Sequence, residues 1–170
     1  MNYQKERIKR IVSLIKIKEK DKVLDIGCGD EYIKELMNIK DYTGIDLIEK
    51  RMDALIYLKH TKKKYSVALM IDFVEHIPPK ELHKIFTHLR KKLKGTLYIH
   101  TPDADFIFEK IKRIFNLQKR QGHINVMTER DLTIILKESG FKNVKVTKLS
   151  HYIPCFRILG KKTRLFIEAK

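Results

Sequence analysis

Tryptophan is absent from this chain, cysteine occurs only twice, and acids are scarce beside bases, 21 against 37 among 170 residues. Each shortage excludes something. Cys28 and Cys155 supply neither a disulfide framework nor a zinc ligand set, so a redox or zinc role drops out. No apolar run approaches the roughly 20 residues that span a bilayer, and the chain opens on a charged amphipathic segment rather than a signal-peptide core. A soluble, cytoplasmic protein with no membrane partner is the expectation. One domain over 1–170 is expected, long enough to bury a proper core. The deficit of acids leaves a formal net charge of +16, which attracts polyanions and brings RNA into consideration as a partner. Composition offers a second source for the same charge. Lysine outnumbers arginine and isoleucine is abundant, as in proteins of AT-rich or heat-loving organisms. The charge alone leaves both readings open.

What is present is organised around Val23-Leu24-Asp25-Ile26-Gly27-Cys28-Gly29-Asp30. An apolar, β-branched run ends in Gly-x-Gly and passes into Tyr32, Ile33, Leu36 and Met37, so the hydrophobic period changes from strand to helix across the glycines. Such a turn holds a nucleotide-like ligand. A dinucleotide site wants a third glycine where this chain has Tyr32. Asp30 and Glu31 place negative charge where a pyrophosphate would sit, whereas a sulfonium and an ammonium favour it. The turn suits a cationic cofactor. About twenty residues further on, Tyr42-Thr43-Gly44-Ile45-Asp46 reads as a second strand ending in an acid that can accept hydrogen bonds from both ribose hydroxyls.

These two stretches resemble the first and second motifs of the class I S-adenosylmethionine-dependent methyltransferases, Asp-x-Gly-x-Gly and Gly-x-Asp. The resemblance implies a Rossmann-like α/β fold, a three-layer sandwich around a mostly parallel sheet with an antiparallel C-terminal hairpin. It implies S-adenosylmethionine as cofactor, with Asp25, Gly27, Cys28 and Gly29 facing its methionine part and Asp46, followed by Leu47, at the ribose. The segment after Asp46 departs from the family. Most members place a helix, a strand and a further helix before the fourth strand, and only residues 47–64 remain here. We expect the helix to be missing and the third strand abbreviated. Asp53-Ala54-Leu55 then stands where the family holds adenine, Asp53 accepting the amino group and Leu55 packing on the ring. A frayed sheet edge is the alternative, and Lys62-Lys63-Lys64 reads as a solvated turn.

The opening residues 2–20 space Ile8, Ile11, Val12 and Ile15 at helical intervals, which predicts a basic amphipathic helix covering one face or edge of the sheet, or serving as a lid. Tyr65 to Ile71 reads as a buried strand, Lys80 to Leu93 as a helix after Pro78-Pro79, and Thr96 to His100 as the next strand. Val74-Glu75-His76, Thr101-Pro102-Asp103, Gly122-His123, Thr128 and Gly140-Phe141 resemble landmarks of one broad methyltransferase group, so the likeness runs from about residue 20 to 150. Thr128 with Asp131 makes an N-cap and Gly140 a C-cap. Phe141 to Leu149 and Thr163 to Ala169 alternate as the two strands of the terminal hairpin. The stretch 103–127, basic and aromatic between Asp105 and Gly122, overhangs the methyl group in this fold and is the expected substrate-selecting element, or else an ordinary amphipathic helix.

Methyl transfer to a hydroxyl needs a base or a metal. His123, His76 and Glu75 are the catalytic candidates, while Asp72, beside the same turn, is assigned to the cofactor. A second resemblance, to the small-RNA 3′-terminal 2′-O-methyltransferases, implies a different use for these residues. There Asp72, Glu75, His76 and His123 would hold a divalent metal, although that family begins the motif with the longer Glu. The expected function is methyl transfer to an O or N acceptor on a small molecule. RNA is the alternative acceptor, and a basic binding protein without turnover is the third reading.

Overall fold

A computed structural model of the chain describes residues 3–50, 52–106, 124–150 and 162–170. Six strands form one sheet: β1 Lys22–Ile26, β2 Asp41–Ile45, β3 Tyr65–Ile71, β4 Leu93–Pro102, β5 Val144–Ser150 and β6 Lys162–Ala169. They lie in the order β2-β1-β3-β4-β6-β5. β1 pairs in parallel with both β2 and β3, and β3 with β4, whereas β6 runs antiparallel to both β4 and β5. The expected parallel sheet with an antiparallel terminal hairpin is therefore the fold.

Helices cover both faces because the central strands are apolar on both. Val23, Val67, Leu69, Tyr98 and Phe166 point to one side and pack with Ile11 of α1 (Tyr3–Val12) and Ile33 of α2 (Tyr32–Met37). Leu24, Ile26, Ala68, Met70, Leu97 and Ile99 point to the other, under α3 (Ala54–His60), α4 (Pro79–Lys92) and α5 (Glu129–Glu138). The alternation is the period of two expected of strands, doubled into a two-sided core. In α4 Pro79 sits at the first turn, where its missing N–H costs nothing, and Leu82, Ile85, Phe86 and Leu89 are buried at helical spacing. Thr128 Oγ1 accepts the Asp131 N–H and caps α5, and Gly140 (φ 95°) ends it, as the residue types predict.

Three expectations need correction. The first helix ends at Val12, not near residue 20. Ile15 and Ile17 still turn inward, but from an irregular run in which alternate residues face the core. The third strand is absent among the described residues between β2 and β3, not abbreviated. Asp53 there is the N-cap of α3, its Oδ1 accepting the Ile56 N–H at 2.7 Å, so Ala54 and Leu55 are helical. The strand expected over Thr96 to His100 begins earlier, at Leu93, so that Gly95 lies inside β4. A Cβ at that position would stand 1.9 Å from the Ser66 carbonyl oxygen, at the bulge where the β3–β4 register shifts.

Candidate active site

The carboxyl ends of β1, β2 and β3 meet at the glycine turn. The Ile45 carbonyl at the end of β2 accepts both the Gly27 and the Cys28 N–H, at 2.7 and 3.2 Å, which folds the turn back over the sheet. Gly27 has φ 82°, and a Cβ there would lie 2.7 Å from the Phe73 ring, so both the backbone and the space require glycine. Asp46 closes the other side. Its Oδ2 accepts the Gly29 N–H at 3.1 Å, and its Oδ1 accepts those of Ile48 and Glu49 at 2.9 and 3.0 Å. Burial works against its charge, but these three N–H groups outweigh it and hold the carboxyl below its usual range. Asp46 is thus an ionised acid fixed at the turn, with lone pairs left for further donors.

Asp25 is the contrasting case. It is 1% exposed, and burial pushes its carboxyl up to about 7, although the Tyr42 hydroxyl donates to Oδ2 at 2.8 Å. Its Oδ1 is buried with no hydrogen-bond partner. An acceptor left open in this way costs free energy until a donor arrives, and a cofactor ammonium is such a donor. Cys28 is a free thiol whose pKa burial and the nearby acids push up to about 11, so it is unreactive and serves the turn through its backbone. The charge expected of Glu31 is already answered. Its carboxylate pairs with Lys50 at 2.8 Å and Lys34 at 2.9 Å, and both hold it below the usual carboxylate range.

Between β2 and the start of α4 lies a cleft of about 220 Å³. Asp46, Asp53 and Glu81 supply its carboxylates, Leu47, Phe73 and Ile77 part of its apolar wall, and His76 its rim. Leu55 of α3 packs against the core and is not among the lining residues, away from the ring contact expected of it. The cleft, the fixed acid Asp46 and the open Asp25 oxygen fit an adenosine joined to a charged amino-acid tail.

Beyond β3 the residues separate. Asp72 (φ 52°) receives Arg7 of α1 at 2.6 Å, Arg164 of β6 at 3.3 Å and the His100 Nδ1 of β4 at 2.9 Å. Despite burial, which alone would raise it, these partners keep the Asp72 carboxyl far below its usual range. Its oxygens are engaged in this cluster, where the sequence reading gave them to the cofactor or a metal. Glu75 is 1% exposed, and burial together with Asp72 raises its carboxyl to about 7. Thr101 donates to its Oε2 at 3.1 Å, and its backbone carbonyl accepts the N–H groups of Ile124 and Asn125. His76, the next residue, is exposed at the cleft beside Asp46. Among the described residues no group of three or more His, Cys, Asp or Glu is placed to hold a metal ion. His123, with residues 107–122 of the expected substrate-side stretch, lies outside the described residues.

Arg7, Tyr42, Phe73 and Arg164 were not singled out from the sequence. Only Tyr42 carried a signal, since it alternates with Gly44 on a strand that ends at a site acid. The arginines reach Asp72 from remote segments.

The methyltransferase-domain family matches residues 2–146. No match is found among curated protein sequences. Among solved structures, a SAM-dependent methyltransferase of Archaeoglobus fulgidus superposes with a TM-score of 0.72 at 21% identity, over 98% of this chain and 93% of its own. A Thermotoga maritima SAM-dependent methyltransferase, described as a possible histamine N-methyltransferase, gives 0.71 at 15% identity over 99% and 89%. The bacterial methyltransferase domain CtHen1-CN gives 0.68 at 18% identity over 99% and 100%. The fold and the family match agree with what the glycine turn and its companion acid imply, and the chain belongs to the methyltransferase-domain family, whose methyl donor is S-adenosylmethionine.

Proposed function

We propose that the protein transfers a methyl group to a nitrogen or oxygen of a small molecule. The observation that carries the acceptor class is the charge at the carboxyl end of the sheet. Asp25, Asp46, Asp53, Glu75, Asp103 and Asp105 gather there, and cations at that end are held by carboxylates, Lys148 by Asp103 and Arg7 and Arg164 by Asp72. A nucleic-acid acceptor would have to bring its phosphates into that field, whereas a small neutral or cationic acceptor would not. The Thermotoga neighbour, described as a possible methyltransferase of a small amine, is in keeping with this reading.

S-adenosylmethionine carries its methyl on a positive sulfur, an activated leaving group, so the chain has mainly to position an acceptor lone pair in line with it. Asp46 would accept from the ribose hydroxyls, the cleft beside it would take the base, and the open oxygen of Asp25 would take the ammonium. Pairing with that cation lowers the Asp25 pKa, so cofactor affinity rises as pH increases from 6 to 8. Glu75, with its carboxyl near neutrality, is the described residue we assign as proton acceptor for a hydroxyl or ammonium substrate. His76 belongs by position to the cofactor cleft.

The test is transfer of labelled methyl from S-adenosylmethionine into a cell extract, followed by size filtration and ribonuclease. Label in the small-molecule fraction, absent with Asp46→Ala, is the expected result. Label that stays large until ribonuclease releases it would overturn the acceptor class while leaving methyl transfer intact.

A further inference from the structure

The positive charge of the chain is not spread evenly. At the amino end of the parallel strands, Lys62, Lys63 and Lys64 precede β3, and Lys91, Lys92 and Lys94 flank the start of β4 beside them. Among the described residues no carboxylate forms an ion pair with any of these six. Lys64 is held across the gap by donating to the Lys91 carbonyl at 2.7 Å. On one flank Lys18, Lys20 and Lys22 lead into β1; on the other Lys142 and Lys145 begin the hairpin. A wide depression of about 440 Å³ there is lined by Lys137, Lys142, Lys145 and Lys170 against the single acid Glu168. The positive potential is felt by a neighbour. His88 on α4 is driven below its usual pKa by burial and then by Lys91, Lys59 and Lys92. Acids are present at this end too, with Glu19 paired to Lys40 and Asp41 to Lys22, but among the described residues none forms an ion pair with the six lysines at the starts of β3 and β4, which leaves their charge unanswered.

We propose that the face formed by the amino ends of the strands docks the phosphate backbone of double-stranded RNA. Among the described residues it is made of strand starts and short connections, with no projecting helix or ribbon to enter the major groove of B-form DNA. A broad lysine surface matches the shape-and-phosphate contacts by which the shallow minor groove of an A-form duplex is held. Among the described residues none of the exposed large apolar side chains belongs to the segments 62–64, 91–94 or 142–145, so these lysine segments offer no such side chain with which to enter a lipid surface. It lies on the order of 15–20 Å from the glycine turn, the length of a five-residue strand such as β1. RNA bound there tethers the enzyme and is not its acceptor, so this inference is independent of the acceptor reading.

The test compares two triple charge reversals of equal net change, Lys62→Glu/Lys63→Glu/Lys64→Glu on this face and Lys80→Glu/Arg130→Glu/Lys162→Glu at the other end. Binding to an RNA duplex of about 20 base pairs is followed by fluorescence anisotropy, with S-adenosylmethionine affinity as the check on folding. The first variant is expected to lose about tenfold or more in RNA affinity and roughly two to three units of the log–log salt slope, while the second loses less than about threefold. Equal losses in both would reduce the effect to net charge and overturn the proposal. So would no loss in the first, tighter binding of the same sequence as DNA, or binding to anionic phospholipid vesicles but not to RNA.

Discussion

Three carboxyls decide how the site responds to pH, two shifted up by burial and one held down by its cations. Asp25 and Glu75 have pKa values raised by burial to about 7, so the folded state holds their protons at pH values where the unfolded chain has lost them. The stability they contribute is complete below about pH 4 and is lost as pH rises to 7. Asp72 has the reverse sign, and its contribution is lost only in acid, as pH falls below about 4. The cofactor-free protein should therefore lose about 2–4 kcal/mol of stability between pH 5 and 8, measured by urea unfolding, and Asp25→Asn should flatten that slope. Asp46→Ala removes the acceptor for three backbone N–H groups as well as the ribose acid. It should lower cofactor affinity by about a hundredfold or more and stability by about 1–3 kcal/mol, read by calorimetric titration and thermal melting. The meeting of Asp25, Asp46 and the glycines at one turn was legible because it follows from local order along the chain. The capping role of Asp53 was not read from the sequence although it stands at the start of an apolar helical run, where an aspartate is an ordinary N-cap; it lines the cleft as well.

The elements are held to their registers by a few close approaches. Gly95→Ala would drive a Cβ into the Ser66 carbonyl, a backbone atom that cannot turn aside, and should cost about 3 kcal/mol or more, seen as loss of soluble protein or a steep fall in Tm. Ile11 is fully buried on the α1 face, and Ile11→Ala should cost about 2–4 kcal/mol, since it opens a cavity between α1 and the sheet. The strands, α4 and α5 could be read directly from period and caps. The end of α1 could not, because Ile15 and Ile17 continue an inward pattern in a different backbone conformation. The absent third strand was half legible. Length alone showed that something had been removed, but deciding between a short strand and none required knowing where the Asp53 side chain bonds.

At the scale of the whole molecule, one sheet carries both cores, and the charge runs from a lysine-rich amino end to an acid-bearing carboxyl end. Crowding of like charges at Lys62 to Lys64 and Lys91 to Lys94 opposes folding and is screened by salt. Raising sodium chloride from 0.05 to about 0.5 M should therefore increase Tm, and the Lys62→Glu/Lys63→Glu/Lys64→Glu variant should lose most of that increase. This polarity was not visible in the sequence, where the same lysines are scattered through every connection. The cluster at Asp72 has a further consequence, in time rather than in space. Its guanidinium partners come from α1 and from β6, early and late in synthesis, and the carboxylate between them stands at a left-handed turn beside the cofactor site. A ribosome delivers Arg7 long before Arg164, so the nascent chain can pair its first strands and close the glycine turn while Asp72 still lacks one of its arginines. The Asp72 cluster beside the site is completed last, when β6 arrives.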